Sequence, residues 1–204
     1  TRLSRGLGDV YKRQNMRLTG RKSFITGAAK GIGLSVARAF AAEGAAVALA
    51  DISEEESKKQ SLEIKETYGV DAIGVKCDVG DTISVQNAIK ETSEAFNGLD
   101  TIACMAATLT ERLDVVDLPE DEWNRTLNVN LTGSFLVCKH GIPFLREAGG
   151  GSIILTASQM GQVAWPGSTA YCTTKGGILQ LVKGIALDHK DENIRCNSIS
   201  PGGV

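Results

Sequence analysis

Three residues in this chain have types and a spacing that can do proton chemistry: Ser158, Tyr171 and Lys175. Tyr171 and Lys175 stand at i and i+4 near the start of a predicted helix, so they share one face. Ser158 ends an apolar run, Gly151-Ser-Ile-Ile-Leu-Thr-Ala-Ser158, thirteen residues before the tyrosine. A free tyrosine has a pKa of about 10, too high for an efficient base near neutrality. An ammonium group on the same helix face favours the phenolate electrostatically. Tyr171 can then take a proton from an alcohol or, in reverse, give one to a carbonyl. Ser158 would bind and orient that same oxygen. Each residue has a blander use: a buried ring for Tyr171, a solvated helix position for Lys175, a loop cap for Ser158. Taken jointly, their spacing favours the chemical use.

A glycine-rich segment lies far upstream, Gly27-Ala-Ala-Lys-Gly31-Ile-Gly33, preceded by Thr26. A predicted strand runs into it and a predicted helix leaves it. The glycines allow a tight turn and close approach of a pyrophosphate. The helix N-terminus offers N–H groups and positive potential to the phosphates. The alternative is a tight turn that only packs helix on strand. Asp51 lies eighteen residues after Gly33, at the end of the second predicted strand. A carboxylate there can accept both ribose hydroxyls and repels a 2'-phosphate, which favours NAD over NADP. Asp51 could instead cap the acidic helix that follows. Lys30 pulls toward NADP, because a cation in the loop could meet a 2'-phosphate. Asp78, after the third strand, can receive the adenine amino group or cap a helix. Together the two regions predict hydride transfer between a substrate carbon and a nicotinamide, whose oxidised ring would further favour the phenolate.

Strands and helices alternate along the chain. Strands are predicted at 22–26, 45–50, 72–77, 99–105, 152–157 and 194–199. Helices are predicted at 32–42, 54–68, 82–96, 119–145 (with a break) and 168–189. Val36, Ala37 and Phe40 mark the inner face of the first helix, and Val85, Ile89 and Phe96 that of the third. Several strands are continuous apolar runs, as expected of a parallel sheet covered on both faces. The fold expected is α/β: a doubly wound parallel sheet, a Rossmann-like three-layer sandwich.

The chain has 204 residues and a net charge of -2, so no strongly basic face points to nucleic acid. Its five cysteines are scattered without a CxxC pair and read as buried reduced thiols. Two histidines at unrelated positions give no metal site, and His189 reads as a surface cap at a helix end. No segment has the apolar length to span a membrane, and no signal peptide is visible, so a cytoplasmic location is expected. Residues 1–15 read as a non-native leader, since Asp9-Val-Tyr-Lys-Arg-Gln14 resembles a translated sequencing adaptor; the alternative is a genuine basic leader, which its four Arg or Lys residues permit. Met16 would be the natural start, with residues 16–204 forming the nucleotide-binding catalytic domain.

These motifs resemble the classical short-chain dehydrogenase/reductase family over residues 18–204. Thr26-Gly-Ala-Ala-Lys-Gly-Ile-Gly33 is similar to its cofactor loop, and Ser158, Tyr171 and Lys175 to its catalytic triad. Asn130, in Asn128-Val-Asn-Leu-Thr-Gly133, is similar to a fourth active residue, which in the family helps hold a water of the proton relay. Pro201-Gly202 resembles the turn beside the nicotinamide. The resemblance implies cofactor contacts from Gly27, Lys30, Gly31, Ile32 and Gly33 in the loop and from Asp51, Asp78 and Val79 after strands two and three. Ala106, Tyr171, Lys175, Pro201 and Gly202 complete that set.

Two departures stand out. The family usually carries Asn-Asn-Ala-Gly after strand four, whereas this chain has Cys104-Met-Ala-Ala107. Ala107 adds a methyl where close backbone approach is expected, and Met105 lacks the amide that often steadies the central strands. The family domain also continues past Pro-Gly with a substrate loop, a helix and a seventh strand. The chain is therefore read as C-terminally truncated, its full-length parent as a homodimer or homotetramer. Ser158, Gln159, Trp165 and Tyr171 are the substrate-side candidates, with Met160 beside them. They could line a mostly apolar pocket, although Met160 and Trp165 could equally close the core or a subunit contact. The substrate expected is a small cyclic or secondary alcohol, or its ketone. The competing readings are an NADP-dependent reductase of the same family and a non-catalytic nucleotide-binding protein.

Overall fold

The computed structural model describes residues 16–203, so the leader reading for residues 1–15 lies outside the described residues. Six strands form one parallel sheet: β1 Lys22–Thr26, β2 Ala46–Asp51, β3 Ala72–Lys76, β4 Thr101–Cys104, β5 Gly151–Thr156 and β6 Ile194–Ile199. Their spatial order is β3-β2-β1-β4-β5-β6. The order reverses between β1 and β4, and a crevice opens at such a switch point, beyond the carboxyl ends of the strands. The helices are α1 Gly31–Ala42, α2 Glu54–Tyr68, α3 Thr82–Phe96, α4 Glu120–Leu127, α5 Gly133–Glu147 and α6 Thr169–Asp188.

Side chains alternate between the two faces of each strand, and both faces are buried. Phe24, Ala48, Ala50 and Ile102 enter one core, which is covered by Val85, Ile89, Val137 and Ile178. Their neighbours Ile25, Val47, Leu49 and Ala103 enter the other, which is covered by Ala37, Ala41 and Ile64. That two-sided burial is why the strands read as unbroken apolar runs.

The region predicted as one broken helix is α4, then a single wide turn over Asn128–Thr132, then α5. In that turn the Gly133 N–H reaches back five residues to the Asn128 carbonyl. Pro119 caps α4, and Glu120, Asp121 and Glu122 occupy its first turn, where the helix dipole favours negative charge. Asp81, not Asp78, caps α3, its carboxylate accepting the Ser84 N–H at 2.6 Å.

All five cysteines are free; Cys77, Cys104, Cys138 and Cys196 are buried and Cys172 is half-buried. Burial pushes the Cys77 and Cys196 thiols up to about 12. His189 ends α6 as its C-terminal cap residue. No described helix is long and apolar enough to cross a membrane.

Candidate active site

The glycine segment closes the floor of the crevice. Gly27 and Gly31 take φ of +63° and +58°, a region where side chains are strained. A Cβ on Gly27 would stand 2.7 Å from the Ala106 Cα, and one on Gly33 would collide with the Gly27 carbonyl. The turn therefore packs backbone to backbone against the segment after β4. Thr26 secures that contact, its hydroxyl accepting from the Met105 N–H at 3.1 Å and the Ala106 N–H at 3.2 Å. Helix α1 then starts with no side chain capping its N-terminus. Its first-turn N–H groups are left facing the crevice, the arrangement that receives an anion.

The crevice has a volume of about 520 Å³. The predicted residues Gly27, Lys30, Ile32, Gly33, Asp51, Asp78, Val79 and Ala106 line it, and Gly31 does not. Asp51 is held rigidly, its carboxylate accepting the Ala29 N–H at 3.1 Å and the Ser53 N–H at 3.0 Å. Asp51 thus also braces the entry to α2, while its remaining lone pairs face the crevice it lines. Asp78 caps a local turn by accepting the Gly80 N–H at 2.9 Å. Lys30 is exposed on the crevice rim. Ala107 is exposed on the crevice surface, and its φ is not in the left-handed region. The close approach expected at Ala107 falls instead between Gly27 and Ala106.

Beyond the crevice, Tyr171 and Lys175 project from the first turns of α6. The Lys175 side chain is buried, at 2% exposure, and its ammonium donates to the Thr156 carbonyl at 2.6 Å. That ammonium stands 5.5 Å from the centre of the Tyr171 ring. Burial lowers the Lys175 pKa to about 8. Ser158, two residues past the Thr156 that holds Lys175, is buried, and its hydroxyl accepts the Met160 N–H at 3.2 Å. The loop-cap reading of Ser158 is therefore realised, yet the hydroxyl proton stays available to donate.

The short helical turn Gln159–Gly161 packs directly on α6, since a Cβ on Gly161 would stand 2.6 Å from the Lys175 carbonyl. Pro201 is tied to this turn by the Gln159 N–H at 3.0 Å, and Gly202 lies against the Gln159 side chain. Trp165 is half exposed and does not line the crevice.

Asn130 sits in the wide turn between α4 and α5, a distortion that recurs at functional sites. Its side-chain carbonyl accepts the Thr108 N–H at 2.7 Å. Its amide donates to the Thr108 carbonyl at 3.0 Å and the Thr174 hydroxyl at 3.3 Å. Both amide protons are thereby committed to protein partners.

Arg125 binds the same segment, donating to the Thr108 hydroxyl at 2.5 Å and the Leu109 carbonyl at 3.3 Å while Glu122 pairs with its guanidinium. Thr108 and Arg125 line the crevice and escaped the sequence reading. The only local signal was the Glu122–Arg125 spacing, which any surface ion pair shares.

A family model described as enoyl-(acyl carrier protein) reductase matches residues 27–204. The chain is 38% identical over 188 residues to a 2,5-dichloro-2,5-cyclohexadiene-1,4-diol dehydrogenase of Sphingobium indicum, covering 92% of this chain and 74% of the relative. It is 39% identical over 193 residues to a trans-4-hydroxycyclohexanecarboxylate dehydrogenase of Sinomonas cyclohexanicum, with the same coverage. Among solved structures, an NAD+-bound xylitol dehydrogenase superposes with a TM-score of 0.87 at 34% identity, covering 91% of this chain and 71% of that one. With its doubly wound parallel sheet, its glycine turn and these relatives, the chain belongs to the short-chain dehydrogenase/reductase family of oxidoreductases.

Proposed function

We propose that the protein is an NAD-dependent dehydrogenase that interconverts a secondary alcohol and its ketone, with Tyr171 as the general acid/base. The observation that carries this reading is the buried Lys175 ammonium, 5.5 Å from the Tyr171 ring and held by the Thr156 carbonyl. A cation fixed in a low-dielectric setting favours the phenolate far more than a solvated one does. Tyr171 then accepts the alcohol proton, and Ser158 donates a hydrogen bond to the same substrate oxygen. In reduction Tyr171 returns the proton to the carbonyl oxygen.

The residues present fit a dinucleotide. The uncapped start of α1 and the side-chain-free approach at Gly33 suit its pyrophosphate, and Asp51 suits a ribose diol. When bound, the nicotinamide supplies or takes up the hydride. Asp51, rigid and anionic at the crevice, supports NAD over NADP. Lys30 on the rim is exposed, free to turn to solvent.

Two relatives named for cyclic alcohols support a small cyclic secondary alcohol as substrate class. The test is turnover across cyclic and acyclic secondary alcohols with NAD and with NADP, followed by reduced-nicotinamide absorbance. Tyr171→Phe should lower turnover roughly 10²- to 10⁴-fold while cofactor binding persists. Absence of turnover across the panel, or full activity in Tyr171→Phe, would overturn the reading, and tighter binding of NADP would overturn the cofactor choice.

A further inference from the structure

Strands β4 and β5 are paired as far as Cys104 and Leu155, where their ladder ends. The next residues, Met105 and Thr156, therefore come abreast just past the last backbone pair. There the Thr156 hydroxyl donates to the Met105 sulfur at 2.9 Å. The Met105 backbone is fixed independently, its N–H bound to the Thr26 hydroxyl at 3.1 Å. Thr156 also presents its own carbonyl to the Lys175 ammonium at 2.6 Å. One threonine thus holds a strand end by its side chain and the site lysine by its backbone.

We propose that Met105 and Thr156 are positioning residues for Lys175: the hydroxyl–thioether bond sets the end of β5 so that the Thr156 carbonyl holds the ammonium against Tyr171. The proposal rests on the Tyr171–Lys175 reading above and extends it to two residues that touch neither reacting atom. A thioether accepts weakly but is polarizable and flexible, and here its backbone is already anchored. On the β6 side the peptide after Thr156 is tied by the Ala157 N–H to the Ile199 carbonyl at 2.8 Å; on the β4 side, where the ladder has run out, the hydroxyl–thioether bond supplies the second tie that fixes the carbonyl's aim. The site thereby gains through sulfur a β4–β5 brace in place of the amide missing at position 105. The titratable groups facing the ammonium are Tyr171 on its own helix and Cys104 at the end of β4.

The test uses the full chain in three variants: Thr156→Val removes the hydroxyl, Met105→Leu removes the sulfur, and Thr156→Ser keeps the hydroxyl. The readout is the Lys175 titration midpoint, followed by NMR on isotope-labelled lysine, assigned with Lys175→Arg, and needing neither cofactor nor substrate. Thr156→Val and Met105→Leu should each lower the midpoint by ~0.5 unit, because a loosened carbonyl favours the ammonium less. The double variant should move it no further than either single one, and Thr156→Ser should leave it in place. An unmoved midpoint in folded Thr156→Val, or an equal shift in Thr156→Ser, overturns the proposal. If Met105→Leu does not fold, the Thr156 pair alone decides. Retained turnover in Tyr171→Phe would sink the proton-transfer reading, whereas the midpoint shifts in the Thr156 and Met105 variants are measured with Tyr171 in place, so the two failures are distinguishable.

Discussion

Asn130 and Thr108 are joined by two hydrogen bonds, the Thr108 N–H to the Asn130 side-chain carbonyl at 2.7 Å and the Asn130 amide to the Thr108 carbonyl at 3.0 Å. A side-chain amide thus substitutes for a neighbouring strand along the segment after β4. Asn130 is almost fully buried, so removing it leaves the half-buried Thr108 N–H and carbonyl without these partners. Asn130→Ala should cost about 2–3 kcal/mol in denaturant unfolding and also weaken cofactor binding, because Thr108 lines the crevice. Asn130→Asp should be worse than expected from its size, since a carboxylate oxygen would face the Thr108 carbonyl.

Lys175 gives a pH signature. Burial lowers its pKa from 10.5 to about 8, so the unfolded chain holds this proton more tightly than the folded one. Its contribution to stability is therefore least favourable below about pH 8 and improves as the pH rises toward 10.5. Lys175→Met should abolish activity yet raise stability at neutral pH by roughly 1–2 kcal/mol, allowing for the partner lost by the Thr156 carbonyl. Thermal melts of both proteins should converge as the pH rises through this range. A variant less stable than wild type at neutral pH would contradict the assignment.

Asp51 is braced by two backbone N–H groups, and only a carboxylate can accept both on separate oxygens. Asp51→Asn sets an amide donor against one of them, at a cost of about 1–2 kcal/mol. It also removes the charge that repels a 2'-phosphate. Measured by titration with both cofactors, the NAD-to-NADP affinity ratio should fall by about 10-fold or more.

Gly33→Ala places a methyl on the Gly27 carbonyl. The obstacle is backbone, so relief requires moving the turn itself. The expected outcome is loss of cofactor binding measured by titration, with about 1–3 kcal/mol of destabilisation. Gly31→Ala meets no atom within 4 Å but carries a φ of +58°, so it should cost less and leave partial binding.

Most of the sheet was readable because both of its faces are buried, which writes each parallel strand as an apolar run. The glycine turn was readable because its constraint is local: Gly27 to Gly33 must bend and admit a close neighbour within seven residues. Thr108 and Arg125 were not readable, because their roles arise only when the segment after β4 folds against α4. Met105 was read as a missing amide. The structure supplies a sulfur acceptor for Thr156 instead, a contact between residues 51 positions apart that no local pattern encodes. A break within 119–145 was expected, but not its form as a wide turn, closed by the Gly133 N–H on the Asn128 carbonyl.

That wide turn over Asn128–Thr132 contains one residue more than an ordinary helical turn would need. Each helical residue advances about 100° around the axis, so the extra one sets the angular phase between α4 and α5. Deleting a single residue there would restore a regular helix and swing α4 by that angle. Arg125 would turn from the crevice and Asn130 from Thr108, while α5 kept its place in the core. The chain's tolerance to length change is accordingly low at this turn, where one residue sets the direction in which two side chains of the site point.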